Sequence, residues 1–238
     1  TVKKYQTLNN KINAFILKRG KTIKMEDINE NFKIEFENFL IHEEYSKGTI
    51  SRDIGFLKTL CIHAYNQGLD INRQALKIKT KKEIVDSSDI IFLKEEELRK
   101  IKMLKNLPEH LERTRQWLII SCFTGQRISD FMRFERDMVN LNRGKKIIQI
   151  KQKKGKKNVS IPLFPPVEEI LEKNRGDFPK KMAHQKYNEY LKTLCKIANL
   201  DEIMAGKKLI KKGPKKYRKI KGQYPKHEIV SSHIGRRS

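Results

Sequence analysis

Cysteine is scarce in this chain, and no pattern puts it to chemical use. Its three residues, Cys61, Cys122 and Cys195, are far apart, odd in number and each set among apolar residues of a predicted helix. That excludes a disulfide framework and reads as reduced core residues of an intracellular protein. The six His are equally scattered. Without Cys-x-x-Cys, His-x-x-x-His or clustered carboxylates, no metal is expected as a partner and no cofactor is implied. No apolar stretch approaches the ~20 residues that span a bilayer, and no basic helix has a Trp/Phe/Leu face, which argues against a membrane partner. There is no signal peptide and the first residue is not Met, which suggests a piece of something longer.

Acids are also in short supply. Against 53 Lys+Arg stand 28 Asp+Glu, giving a net charge of +25 and a pI of about 9.9. Such an excess needs a polyanionic partner, and nucleic acid is favoured because each neutralised phosphate releases counterions. At 238 residues the chain is long enough for one large domain or two smaller ones.

The first 76 residues read as an all-helical domain. Tyr5, Leu8, Ile12, Phe15 and Ile16 recur at helical spacing and stop at Gly20. Asp27 is placed to cap a second helix carrying Ile28, Phe32, Phe36, Phe39 and Leu40. Thr49 opens a third, with Ile50, Ile54, Leu57, Cys61 and Ala64 on one face. Ser51, Arg52 and Lys58 on its other face, with Thr49, are candidates to enter a DNA groove, although each alone is better explained by a solvated helix face. From residue 77 to 89 the apolar period lapses and Lys77, Lys79, Lys81 and Lys82 crowd together, an extended basic linker suited to a phosphate backbone.

A second domain, residues 90–238, begins with acids in a first helical turn, Glu95 to Glu97. An apolar run from Trp117 to Phe123 reads as a buried helix broken by Gly125, and Phe131, Phe134 and Met138 continue helically after Asp130. Lys146–Ile150 and Asn158–Leu163 alternate as two strands of a hairpin whose tip holds Lys151, Lys153, Lys154, Lys156 and Lys157. Helices follow Pro165-Pro166, with Tyr187 and Tyr190 read as core. From Lys207 to Lys226 there are ten Lys or Arg and no acid, interrupted by Gly and Pro. This stretch reads as loop or short strands, either disordered alone or laid along DNA, with Lys215, Lys216 and Arg218 as contacts. His227–Ser232 is strand-like and leads to His233 at the start of a last helix.

Two short motifs stand out. Thr124-Gly125-Gln126-Arg127-Ile128-Ser129-Asp130 sets an Arg just past a sharp turn, with Ser129 and Asp130 near enough to orient it, and His233-Ile234-Gly235-Arg236 sets another Arg three residues after a His. Together they resemble the tyrosine recombinase (phage integrase) family, whose boxes are Thr-Gly-x-Arg-x-Ser-(Glu/Asp) and His-x-x-Arg. The phrase Tyr45–Arg52 leading to Ala64–Gly68 also looks like the core-binding domain of integrases. The resemblance implies a mainly α fold with a small antiparallel β-sheet, made of an N-terminal SAM-like core-binding domain and a C-terminal catalytic domain. It further implies a bacterial, cytoplasmic, nucleoid-associated enzyme of a mobile element, acting as a homotetramer on synapsed double-stranded DNA recombination sites.

In that family two Arg clamp the phosphate, which Arg127 and Arg236 would do here, a Lys on a hairpin turn protonates the leaving group, and a His assists, here His233. The Lys-x-Gly-Lys spacing matches Lys153 to that Lys, whereas counting back from Pro162 favours Lys154, and the choice stays open. Lys154 and Lys156 are otherwise expected to contact DNA. The family's nucleophilic Tyr lies beyond the His-x-x-Arg box, so the chain reads as ending before it and as inactive in this form. Two other classes compete. A non-catalytic two-lobed DNA clamp would leave Arg127 and Arg236 far apart, and a metal-dependent nuclease would need Asp130, Asp137 and Glu168 to converge.

Overall fold

The first helix forms because its apolar residues recur on one stripe: α1 spans Val2–Arg19, buries Leu8 and Phe15, and stops where Gly20 takes a left-handed φ of 69°. The structure, a computed structural model, describes residues 2–80, 90–214 and 216–238, the side chain of Lys216 excepted. It divides into two compact units, Thr1–Val85 with Leu209–Ile220, and Asp86–Lys208 with Lys221–Ser238.

In the first unit α2 spans Glu30–His42, α3 Lys47–Asn66 and α4 Gln74–Lys77. Asp27 does not cap α2. It closes a separate 3-10 turn at Met25–Asp27, and Asn29 caps α2 by accepting from the Phe32 N–H at 2.9 Å. Likewise α3 begins before Thr49, because Ser46 accepts from the Thr49 N–H and recruits Lys47 and Gly48 into the first turn. Phe15, Phe32, Phe36 and Phe39 form an aromatic cluster between α1 and α2, with ring centroids 5.3–6.3 Å apart. Lys11 and Asp53, both buried, pair across α1 and α3.

The second unit is built around α6, Glu109–Thr124, whose Trp117, Leu118, Ile119 and Ile120 are all buried. A helix apolar on every side must be enclosed. Here α5 (Glu95–Met103), α8 (Pro165–Lys173) and α9 (His184–Ile197) contribute buried residues to the same core. A three-stranded antiparallel sheet in the order β1-β2-β3 runs through Val139–Asn142, Lys145–Lys151 and Asn158–Pro162. Its register pairs Ile148 with Ile161 and Ile150 with Val159, so alternate residues face the core. Strand β1, too short to alternate, was not expected.

Three sequence expectations are corrected here. The helix continuing through Phe131, Phe134 and Met138 is instead a short α7, Ile128–Phe131, followed by a 3-10 turn at Arg136–Met138. The basic stretch is neither a loop nor made of short strands. It is one long hairpin, β4 (Ile203–Gly213) with β5 (Lys216–Pro225). His227–Ser232 is not a strand: α10 spans Lys226–Ile229, and the last turn, Ile234–Arg236, is 3-10.

One buried ion pair holds the end of the chain to the start of this unit. Lys226, 1% exposed, donates to both Glu97 oxygens at 2.6 and 2.7 Å, while Glu97 also accepts from the Lys94 N–H at 2.7 Å. Removing one partner leaves an uncompensated buried charge. Glu97→Ala is expected to lower unfolding free energy by about 3 kcal/mol in a urea titration. A loss below about 1 kcal/mol, the range of an exposed pair, would show that Lys226 escapes to water.

Candidate functional site

The site begins where α6 must stop. Gly125 takes a left-handed φ of 62° and caps the helix through the Ser121 carbonyl, which delivers Arg127 to the position just before α7. The Arg127 carbonyl accepts from the N–H groups of Asp130 (2.7 Å) and Phe131 (2.9 Å). Arg127 is half-buried, and its guanidinium has no hydrogen-bond or ion-pair partner among the described residues.

Asp130 and Ser129 do not orient Arg127, contrary to the sequence expectation. Asp130 is fully buried, and its Oδ1 accepts from Arg133 Nη2 at 3.2 Å and from the Lys153 N–H at 2.8 Å. The Ser129 carbonyl accepts from Arg133 Nε at 3.1 Å, and Arg133 reaches on to the Lys151 carbonyl at 2.8 Å. One helical turn places Arg133 three residues after Asp130, which settles which Arg the carboxylate meets. The consequence is that the β2–β3 turn is bound to the Arg127 turn. Gln152 adds a third link, Nε2 to Gln126 Oε1 at 2.7 Å.

The last turn approaches from the other side of the sequence. Gly235 lies so close to α6 that a Cβ built on it would be 1.9 Å from Ser121 Oγ and 3.2 Å from the Cys122 nitrogen. Only a glycine fits there. Arg236, exposed, is therefore carried beside the final turn of α6, in which Ser121 sits and three residues after which Arg127 follows. The Ser232 N–H donates to Asn188 Oδ1 at 2.8 Å, and Ser238 Oγ accepts from the Leu93 N–H at 2.8 Å, holding both flanks of this turn. His233 is exposed at its start.

Lys153, Lys154 and Lys156 are exposed around Gly155 (φ 86°). Tyr187 is fully enclosed between α9 and α6, and burial holds its phenol well above the usual tyrosine range, which removes it as a nucleophile. The Tyr190 ring is tilted against that of His110, with centroids 4.7 Å apart. No group of three or more His, Cys, Asp or Glu able to hold a metal exists among the described residues, and Glu168 is instead paired with Lys146 at 3.2 Å.

The expected DNA contacts fare unevenly. Arg52 and Lys79 are exposed, and Thr49 and Ser51 are half-buried. Lys58 donates to the Ile78 carbonyl at 3.0 Å, so its ammonium serves the helical unit. Arg218 is turned inward within the first unit: it donates to the Glu43 carbonyl at 2.7 Å and lies 4.0 Å from the Tyr45 ring centre, with only 12% of its side chain exposed. Lys81 and Lys215 fall outside the described residues, as does the side chain of Lys216. Arg133, Gln152 and Asn188 were missed by sequence reasoning. The three-residue spacing from Asp130 could have found Arg133, whereas nothing local marks the other two.

This fold has known counterparts. Lambda integrase residues 75–356, as a dimer bound to a COC′ core site, matches at a TM-score of 0.65 and 17% identity over 100% of this chain and 81% of that one. A lambda integrase tetramer bound to a Holliday junction gives 0.63 and 17%, over 96% and 65%. The XerH site-specific recombinase on a palindromic difH substrate gives 0.60 and 16%, over 95% and 63%. The chain shares the fold of these lambda integrase and XerH structures. Residues 1–81 match the family model described as phage integrase SAM-like domain. No curated protein matches by sequence.

Because Gly235 has no room for a Cβ, Gly235→Ala is expected to destabilise by about 1–3 kcal/mol through overpacking. Adding Ser121→Ala removes the nearest oxygen and should recover part of that loss in a double-mutant cycle of thermal or urea unfolding. Strict additivity would mean that the last turn moves freely away from α6. Burial also pushes the Cys195 thiol up to about 12, with the Glu97 carboxylate adding to the rise. The native state then keeps a proton that the unfolded chain releases, so stability is present below the unfolded thiol pKa and falls as pH rises from there toward about 12. A thiol reagent at pH 8 should leave Cys195 unmodified until denaturant is added.

Proposed function

We infer that the protein cuts and rejoins DNA strands at specific sites through a 3′-phosphotyrosyl intermediate, as a tyrosine recombinase of a bacterial mobile element. The observation that carries this reading is the meeting of three separate segments at the C-terminal end of α6: the Arg127 turn, the Lys153 hairpin and the turn bearing Arg236. A non-catalytic clamp has no need to gather them.

Breaking a phosphodiester without a metal requires fixed cations around the five-coordinate phosphorane. Arg127 and Arg236 can each give two parallel hydrogen bonds to non-bridging oxygens. A tyrosine phenol, which the family pattern puts after the His-x-x-Arg box, forms the new bond to phosphorus and gives up its proton to a base. The bond from phosphorus to O5′ breaks with its electron pair on oxygen, and the Lys153 ammonium supplies the proton that makes it a hydroxyl. His233, exposed beside Arg236, contacts the phosphate or relays a proton.

In the first unit Arg52 and Lys79 bind backbone phosphates and Thr49 and Ser51 face a groove, and in the second Lys154 and Lys156 bind backbone phosphates. Lys81, Lys215 and Lys216 are further phosphate contacts on this reading. The reading divides the chain into a core-binding domain (1–76), a basic linker (77–89) and a catalytic domain (90–238), working as a tetramer on two duplexes in the bacterial cytoplasm, associated with the nucleoid. Lambda integrase and XerH, whose fold it shares, were captured on DNA, which agrees with such a role.

The full-length gene product, incubated with a nicked suicide duplex carrying its target, should form a covalent adduct. Arg127→Ala should lower adduct formation by about 100-fold or more, the scale of losing a preorganised cation, while duplex binding survives. An intact adduct yield in Arg127→Ala would refute the role given to that residue.

A further inference from the structure

Three successive residues at the shoulder of the β2–β3 turn each hold the turn that carries Arg127. Lys151 accepts from Arg133 through its carbonyl, Gln152 donates to Gln126 through its side chain, and Lys153 donates to Asp130 through its backbone. Two of these links use the hairpin's backbone and fix where the strand runs. The Gln152–Gln126 link alone is made by side chains at both ends.

That link is oriented. Gln126 is 8% exposed, and its Nε2 donates to the Thr124 carbonyl at 3.1 Å, which leaves Oε1 as the atom presented to Gln152. The Gln152 backbone N–H meanwhile donates to the Lys157 carbonyl at 2.9 Å. One residue thus closes the hairpin turn and tethers it. Among the described residues, no hydrogen bond joins residues 154–157 to the Arg127 turn. Lys154 and Lys156 lie past the tether, where Gly155 (φ 86°) and Lys156 (φ 50°) reverse the chain.

We propose that the Gln126–Gln152 amide bridge is a positioning device for leaving-group protonation, making Lys153 rather than Lys154 the residue whose ammonium reaches the 5′-oxygen. The inference rests on the strand-cleavage reading above. A general acid works only within hydrogen-bond reach of the atom it protonates. A misplacement of about 1 Å can cost about 100-fold in rate. In the step concerned the phosphorus–O5′ bond breaks, its electron pair stays on O5′, and one Lys153 proton converts it to the 5′-hydroxyl, leaving a neutral amine. Gln126 and Gln152 touch neither substrate nor proton and act through the lysine's placement.

The test compares two suicide duplexes, one ordinary and one with sulfur in place of the bridging 5′-oxygen. A thiolate, from a thiol of pKa near 8.5, departs without needing a proton. With the full-length gene product, Gln152→Ala and Gln126→Ala are each expected to slow adduct formation on the oxygen duplex by roughly 10- to 100-fold, and on the sulfur duplex by less than about twofold. Lys153→Ala should show the same selectivity in stronger form, whereas Lys154→Ala should lower both duplexes alike through weaker DNA binding.

Equal losses on the two duplexes for the Gln variants would overturn the proposal, since the bridge would then only hold the fold. No loss on either would overturn it as well, as would a selective effect of Lys154→Ala in place of Lys153→Ala. Failure of the unsubstituted protein on both duplexes would instead overturn the strand-cleavage reading, and this inference with it.

Discussion

The arrangement of the second unit depends on what one buried carboxylate holds. Asp130 has no exposure, and burying a polar group is costly unless it is hydrogen-bonded. Its partners are an Arg side chain from its own turn and a backbone N–H from a hairpin 23 positions on. A bond to backbone cannot be remade by rotating a side chain. It ties the hairpin itself, wherever its lysines point, to the turn that follows α6.

The cations of this chain therefore fall into two kinds. Lys11, Arg133, Lys226 and Arg218 are engaged by carboxylates, carbonyls or rings, each within its own unit. Arg127, Arg236 and the side chains of Lys153, Lys154 and Lys156 have no such partner among the described residues, although Glu and Asp occur elsewhere in the same unit. Of the engaged set Lys11 and Lys226 are buried, where an unpaired charge is expensive, while Arg218 and Arg133 are only partly enclosed. The other set is solvated while it has no partner, and a phosphate would meet it with its donors still available.

Much of the fold was legible because it follows from local pattern. The stripe from Leu8 to Phe15, the uniformly apolar run around Trp117 and the alternation through Ile148 and Ile150 each specify an element by its period alone. Errors came where two local signals competed. Asn29 outdid Asp27 as a cap, since only its carboxamide oxygen reaches a helical N–H, and Ser46 started α3 earlier than Thr49 for the same reason. The long hairpin from Ile203 to Pro225 was hidden by its Gly, Pro and lysine content, which reads as irregular when neither face is strongly apolar. Of the candidate site, the Arg, Lys and His residues were visible in two short motifs and a turn. Gln152 and Asn188 were not, because their partners lie far away in sequence.

By itself the sequence determined the charge, the helical and strand periods, the turn at Gly125 and the presence of the two Arg boxes, all properties of neighbouring residues. Only the tertiary structure decided that Asp130 serves Lys153 and Arg133 instead of Arg127, and that Gly235 must be bare because Ser121 fills the space beside it. Such choices belong to packing: which donor meets a buried acceptor depends on the whole surrounding core, and no stretch of sequence contains that information alone.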